Sequence, residues 1–151
     1  MSQALRISTE QSELDIALIH HFLANEAYWS RGIARDVVER AIAGSLCFGA
    51  YLDGRQIAFA RVVTDRATFA YLADVFVLPE HRGQGHSKAL VAAVMAHPEL
   101  QGLRRFSLVT RDAHGLYASF GFAAPAHPQI LLEKLDPDVY SRSKGPHELP
   151  A

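Results

Sequence analysis

Val75-Phe76-Val77-Leu78-Pro79-Glu80-His81-Arg82-Gly83-Gln84-Gly85-His86-Ser87-Lys88 is the stretch that decides how this chain folds. The β-branched and aromatic residues running up to Leu78 predict a strand, since such side chains suit a pleated, half-buried surface, and Pro79 ends it. Gly83 and Gly85 permit a tight turn. Leu90, Val91, Val94 and Met95 then recur along one side of a helix that Pro98 stops. A strand that passes through a glycine turn into a helix aims several backbone N–H groups, and the positive end of the helix dipole, at one point. The glycines let an anion approach the backbone without Cβ atoms in the way. Arg82 and Lys88 add positive charge, so a phosphate or pyrophosphate is the natural occupant. A turn that uses glycine for geometry alone is the plainer alternative. Two other phosphate loops are excluded by spacing. Lys88 stands where a dinucleotide fingerprint needs its third glycine or alanine, and no Gly-Lys-Ser/Thr follows a four-residue gap.

Working outward, Thr68–Leu78 reads as a long central strand. Before it, Leu46–Leu52 and Gln56–Thr64 flank Asp53-Gly54, a dipeptide that supplies the positive backbone angles of a tight hairpin. Further upstream, Leu5–Thr9 alternates as a first strand. Ser12 with Asp15 resembles a helix N-cap ahead of Leu14, Ala17, Leu18 and Phe22. Ile33, Val37, Val38, Ala41 and Ile42 give a second amphipathic helix ending near Gly44. Downstream, Phe106–Val109 is a short strand, and Ala113–Phe120 a short helix capped by Asp112 and ended by Gly121. Ile130–Leu135 is expected as a last strand. Two helices, a meander, and then strand–helix–strand–helix–strand predict a mixed α/β sheet.

The strand–turn–helix resembles the acyl-CoA-binding motif of the GNAT N-acetyltransferase superfamily, Arg/Gln-x-x-Gly-x-Gly/Ala, with Arg82, Gly85 and Ser87 in its three places. Leu116-Tyr117-Ala118-Ser119-Phe120-Gly121-Phe122 is similar to the family's second landmark, a Leu-Tyr followed closely by Gly-Phe. The resemblance covers roughly Leu5 to Leu135. It implies an α+β fold with a mixed, mostly antiparallel central sheet flanked by helices. Two positions depart from the pattern. Ser87 replaces the usual glycine or alanine, and Thr110 or Asp112 stands near the place of a common asparagine.

The resemblance also implies a chemistry. Acetyl-CoA would lie against Val75, Phe76 and Val77, with its pyrophosphate on Gly83, Gln84, Gly85, His86, Ser87 and Lys88 beside Arg82. An amine would attack the thioester directly, and Tyr117 would protonate the departing thiolate. The proton acceptor is open between Asp74, a lone charge in an apolar strand, and Glu26, just past the first helix. Asp74 and Tyr71 are expected on opposite faces of their strand, three residues apart. Tyr28 and Trp29 offer a wall for the acceptor, a small-molecule or peptide amine. The alternative is a non-catalytic acyl-CoA sensor or partner-binding module on the same fold.

Composition bounds the remainder. With 151 residues, 49% apolar and 21% charged, the chain suits one domain, expected over 1–140 with a loose tail at 141–151. A net charge of −1 recruits neither nucleic acid nor anionic lipid, and Arg104-Arg105 is too short a basic patch to change that. No apolar run approaches the ~20 residues of a membrane span, and no leader is evident, so a cytoplasmic protein is expected. One cysteine, Cys47, excludes an internal disulfide and reads as a small core residue. His20-His21 and His81 with His86 lack metal-ligand spacing, so no metal is expected. The free edge of the last strand leaves a homodimer open.

Overall fold

A computed structural model describes residues 4–142. Five strands form one sheet in the order β1 (Arg6–Ser8), β2 (Leu46–Leu52), β3 (Arg55–Thr64), β4 (Phe69–Val77) and β5 (Arg105–Leu108). The first four are antiparallel neighbours, while β5 runs parallel to β4. Helices α1 (Ile16–Asn25) and α2 (Arg35–Ala43) precede β2. Helix α3 (His86–Ala96) crosses from β4 to β5, and the short α4 (His114–Ala118) follows.

Alternation along the strands sorts side chains into two cores. Phe48, Ala60, Val62 and Leu72 pack with Leu90, Val91 and Val94 of α3 and with Tyr117 of α4. Cys47, Phe59 and Phe76 point the other way, against Ile19, Phe22 and Leu23 of α1 and Val38 and Ile42 of α2. Phe22 stacks on Phe76 with ring centroids 4.0 Å apart. Each such large side chain contributes about 1.5–3 kcal/mol by leaving water, so the sheet is clamped between two helical layers. The hairpin turn at Asp53 (φ +50°) and Gly54 (φ +75°) has the expected left-handed pair. The β3–β4 turn is tied by Asp65, which accepts from the amides of Ala67, Thr68 and Phe69 and from the Thr68 hydroxyl. That hydroxyl and those amides hold the Asp65 carboxyl below the usual carboxylate range.

Three expectations are corrected. The first helix starts at Ile16, one turn later than a Ser12 cap would set it. Asp15 is the cap, accepting from Leu18 N at 3.1 Å, and Ser12 lies in a 3-10 turn over Gln11–Glu13. Asp112 does not cap α4; the Thr110 hydroxyl accepts from Ala113 N instead. Ile130–Leu135 is not a strand. A 3-10 turn spans Pro128–Ile130, and irregular chain follows with Leu132 96% exposed. The stretch breaks strict alternation with Leu131-Leu132, and the prolines around it remove ladder donors. Of the tail expected at 141–151, residues from 143 onward lie outside the described residues. Among the described residues no helix is long and apolar enough to cross a membrane.

Candidate active site

The site begins where β4 loses its neighbour. Pairing with β5 runs from Phe69↔Arg105 to Leu72↔Leu108 and stops, while β4 continues to Val77 with β3 on its other side. The chain leaving β5 turns outward, and Val109 is 80% exposed. The parting coincides with a bulge. Arg61 faces Ala73, but Phe59 faces Phe76, so between these pairs one residue of β3, Ala60, opposes two of β4, Asp74 and Val75. The extra residue is accommodated at Asp74, whose φ is +54°. This reverses the alternation beyond it. Tyr71, Ala73 and Asp74 line one cleft, correcting the expectation that Tyr71 and Asp74 occupy opposite faces. The edge of β4 over Val75, Phe76 and Val77 is left without a strand partner on the β5 side.

That free edge leads into the glycine turn. Gly83 (φ +76°) and Gly85 (φ +81°) both take left-handed conformations, and open space lies where a Cβ would stand on either. Gly85 is the N-cap of α3 and, having no side chain, leaves the first-turn amides without a side-chain cap. Arg82 folds back, donating from Nε to Val77 O at 2.9 Å, which fixes the turn against the end of β4. His86 opens α3 with its Nε2 buried and without a hydrogen-bond partner. Ser87 is half-buried, and Gln84 and Lys88 are exposed. Uncapped amides, open space over two glycines and nearby cationic side chains fit a pyrophosphate.

Tyr117 sits in the core shared with α3, 8% exposed, its ring edge-on to Phe122 at 6.0 Å. Burial first, and the nearby Asp112 second, push its phenol above the ordinary range, so it holds its proton.

The opposite side is built around Asp74. Its Oδ2 accepts from Arg61 Nε at 2.8 Å and its Oδ1 from Trp29 Nε1 at 2.8 Å. Arg61 also donates to Ser45 Oγ at 3.1 Å. Trp29 meets Tyr28 edge-on at 5.1 Å, and the Arg111 guanidinium lies 3.9 Å from the centre of the Tyr28 ring. The bulge, the α1–α2 connection and the chain leaving β5 are thereby linked by side chains. The structure thus brings Asp74, Trp29 and Tyr28 together. Glu26 is not joined to them; its carboxylate lies 4.0 Å from the His21 ring. Arg61 and Arg111 were not singled out from the sequence. Arg61 carries a usable signal, a lone cation in an apolar strand adjoining one with a lone acid. Arg111 carries none. Among the described residues no group of three or more His, Cys, Asp or Glu is placed to hold a metal ion.

A split mixed sheet with a left-handed glycine turn at the split and a buried tyrosine on α4 defines an acetyltransferase-like fold. The chain belongs to the GNAT acetyltransferase family. Residues 43–124 match the family model described as the acetyltransferase (GNAT) domain. A candidate acetyltransferase of Gibberella zeae is 31% identical over 133 residues, 74% of each chain. The crystal structure of a candidate GNAT acetyltransferase from Xanthomonas campestris pv. campestris is 61% identical and superposes with a TM-score of 0.91 over 92% of this chain and 98% of that one. A candidate acetyltransferase from Clostridium acetobutylicum, solved with acetyl-CoA, shares the fold at 15% identity, with a TM-score of 0.62 over 89% and 96% of the two chains.

Proposed function

We propose that the protein moves the acetyl group of acetyl-CoA to the nitrogen of a primary amine by direct attack in a ternary complex. The observation that carries this reading is the unpaired β4 edge running straight into the left-handed Gly83–Gly85 turn and the uncapped start of α3. In it, the amides from Gly83 to Lys88 hold the pyrophosphate beside Arg82, and the backbone of Val75 to Val77 takes the pantetheine as a surrogate strand. The amine nitrogen bonds to the thioester carbon, the C–S bond breaks, and the sulfur takes the Tyr117 phenol proton. A tyrosine held protonated by burial suits that step. Tyr28 and Trp29 flank the acceptor. Asp74 has both oxygens engaged by Arg61 and Trp29, so its role is to hold that wall. Glu26, exposed and loosely paired, is the freer proton acceptor.

The test is thermal unfolding with and without excess acetyl-CoA, alongside thiol release on adding amines. Ligand at ~100 times Kd adds about 2.7 kcal/mol, roughly 5–10 °C for a chain of this size. The shift should vanish in Gly85→Glu, which fills the turn. No shift in the unaltered protein would overturn the assignment.

A further inference from the structure

We infer that the acceptor is a primary amine carried on a small, uncharged, apolar arm, and that the arm lies in the cleft between α2 and the sheet. The inference rests on the acetyltransferase reading and specifies its second substrate. The cleft has a volume of about 280 Å³. One wall holds Asp74 and Ala73, at the bulge where β4 parts from β5, so the cleft adjoins the place where the thioester would lie. Its floor is Ile33, Val37, Ala41 and Phe59, and Trp29, Tyr71 and Tyr140 supply aromatic walls.

Its charge pattern selects against charged arms. Among the described residues, Arg61 and Asp74 are the charged side chains that line it, and they neutralise each other at 2.8 Å. Arg61 is further committed to Ser45, and the second Asp74 oxygen to Trp29. Within that lining a carboxylate or phosphate on the arm would meet no free cation and a second ammonium no free carboxylate; Glu133, whose charge reaches the Tyr71 phenol, stands outside it. Burying either charge without a partner is costly. The volume lies at the small end of ligand sites, which suits a few carbons or one ring rather than a peptide. The same lining helps the reaction. An amine withdrawn from water into apolar surroundings loses its preference for the charged form, so the neutral nucleophile is favoured without a dedicated buried base. Trp29 and Tyr71 present ring surface that an incoming ammonium tolerates.

The experiment is thiol release from acetyl-CoA by the full chain with ethylamine, butylamine and hexylamine, then with 6-aminohexanoate and 1,6-diaminohexane. The last two match hexylamine in arm length and differ in terminal charge. Expected is a kcat/KM that climbs about three- to fourfold per methylene until the cleft is filled. Both charged-arm amines should fall at least tenfold below hexylamine. Ala41→Leu, which narrows the cleft from a half-buried helix position, should flatten the length series and leave the acetyl-CoA thermal shift intact. Val37→Met is the second variant if that one folds poorly. A flat series in the unaltered protein, a preference for either charged arm, or an acetyl-CoA shift with no amine in the set acetylated overturns the substrate class alone. Absence of both shift and turnover overturns the transferase reading, and the substrate class with it.

Discussion

Trp29 donates its indole N–H to Asp74 at 2.8 Å, joining the α1–α2 connection to the one left-handed residue of the central strand. Asp74 thus does two things at once. It sits in a backbone conformation that costs an ordinary side chain about 1–2 kcal/mol, and it neutralises a largely buried Arg61.

Replacing it separates those roles. Asp74→Ala leaves the Arg61 charge and the Trp29 N–H unpaired and retains the backbone strain, for an expected loss of about 3 kcal/mol. Asp74→Gly loses the same partners but relaxes the backbone, so it should be the more stable of the two by about 1 kcal/mol. Chemical denaturation of both variants checks the order. The reverse order would mean the bulge is unstrained.

Two glycines with the same backbone angle should respond differently to a methyl group. At Gly85 (φ +81°) the added Cβ meets open space, so Gly85→Ala carries only conformational strain, about 1 kcal/mol. At Gly32 (φ +82°) the Cβ would come within 2.6 Å of the Tyr140 carbonyl oxygen. Gly32→Ala should therefore cost about 2–3 kcal/mol, the strain plus a backbone shift. Melting temperatures of the pair test this. The acetyl-CoA-induced shift should shrink in Gly85→Ala and persist in Gly32→Ala.

Tyr117→Phe keeps the ring against Phe122 and removes a hydroxyl that makes no hydrogen bond within residues 4–142. Stability should change by less than about 1 kcal/mol, while kcat falls on the order of 10²-fold with acetyl-CoA affinity retained. Burial raises the phenol's folded pKa above 10, so the acid is present below that value and lost above it. The alkaline limb of kcat should lie beyond pH 10 and disappear in the variant. Unchanged kcat would remove Tyr117 from the chemistry.

The fold's main outline is readable in the chain because its signals are local: Asp53-Gly54 for the hairpin, Pro79 and Pro98 as stops, and apolar spacing along α3. The bulge is not local. A single inserted residue leaves the composition of β4 unchanged, and only its register against β3 shows that Tyr71 and Asp74 share a cleft. The Arg61–Asp74 pair is likewise a property of two strands together. Ile130–Leu135 misleads for the opposite reason: its composition suits a strand, yet it joins no ladder among the described residues. The glycine turn was legible because Gly83 and Gly85 are the residues a left-handed turn between strand and helix calls for, and the place of Tyr117 because the Leu-Tyr and Gly-Phe landmark marks a short helix. Arg111 and Tyr140 reach the site only through the path of the chain.

Cys47 predicts an alkaline weakness. Burial pushes its thiol from 9.0 up to about 12, with Arg61 opposing and Asp74 adding to the rise. A group whose folded pKa is raised contributes stability in full below its unfolded pKa and loses it as pH climbs through the folded value. About 4 kcal/mol should therefore drain away between pH 9 and pH 12. Denaturant midpoints at pH 8, 10 and 11 should fall steadily, and Cys47→Ala should flatten that decline. Native protein at pH 8 should also resist thiol reagents. Rapid labelling there would contradict the burial.

The contact of Tyr140 with Gly32 ties together segments at opposite ends of the described chain. Contacts of such wide sequence separation close late, after the local turns and helices have formed. The glycine turn and α3 are neighbours in sequence and can take shape early. The amine-side wall cannot exist until nearly the whole polypeptide is in place. A growing or truncated chain would acquire the glycine turn and α3 first, and the cleft beside Tyr140 would be the last part to mature.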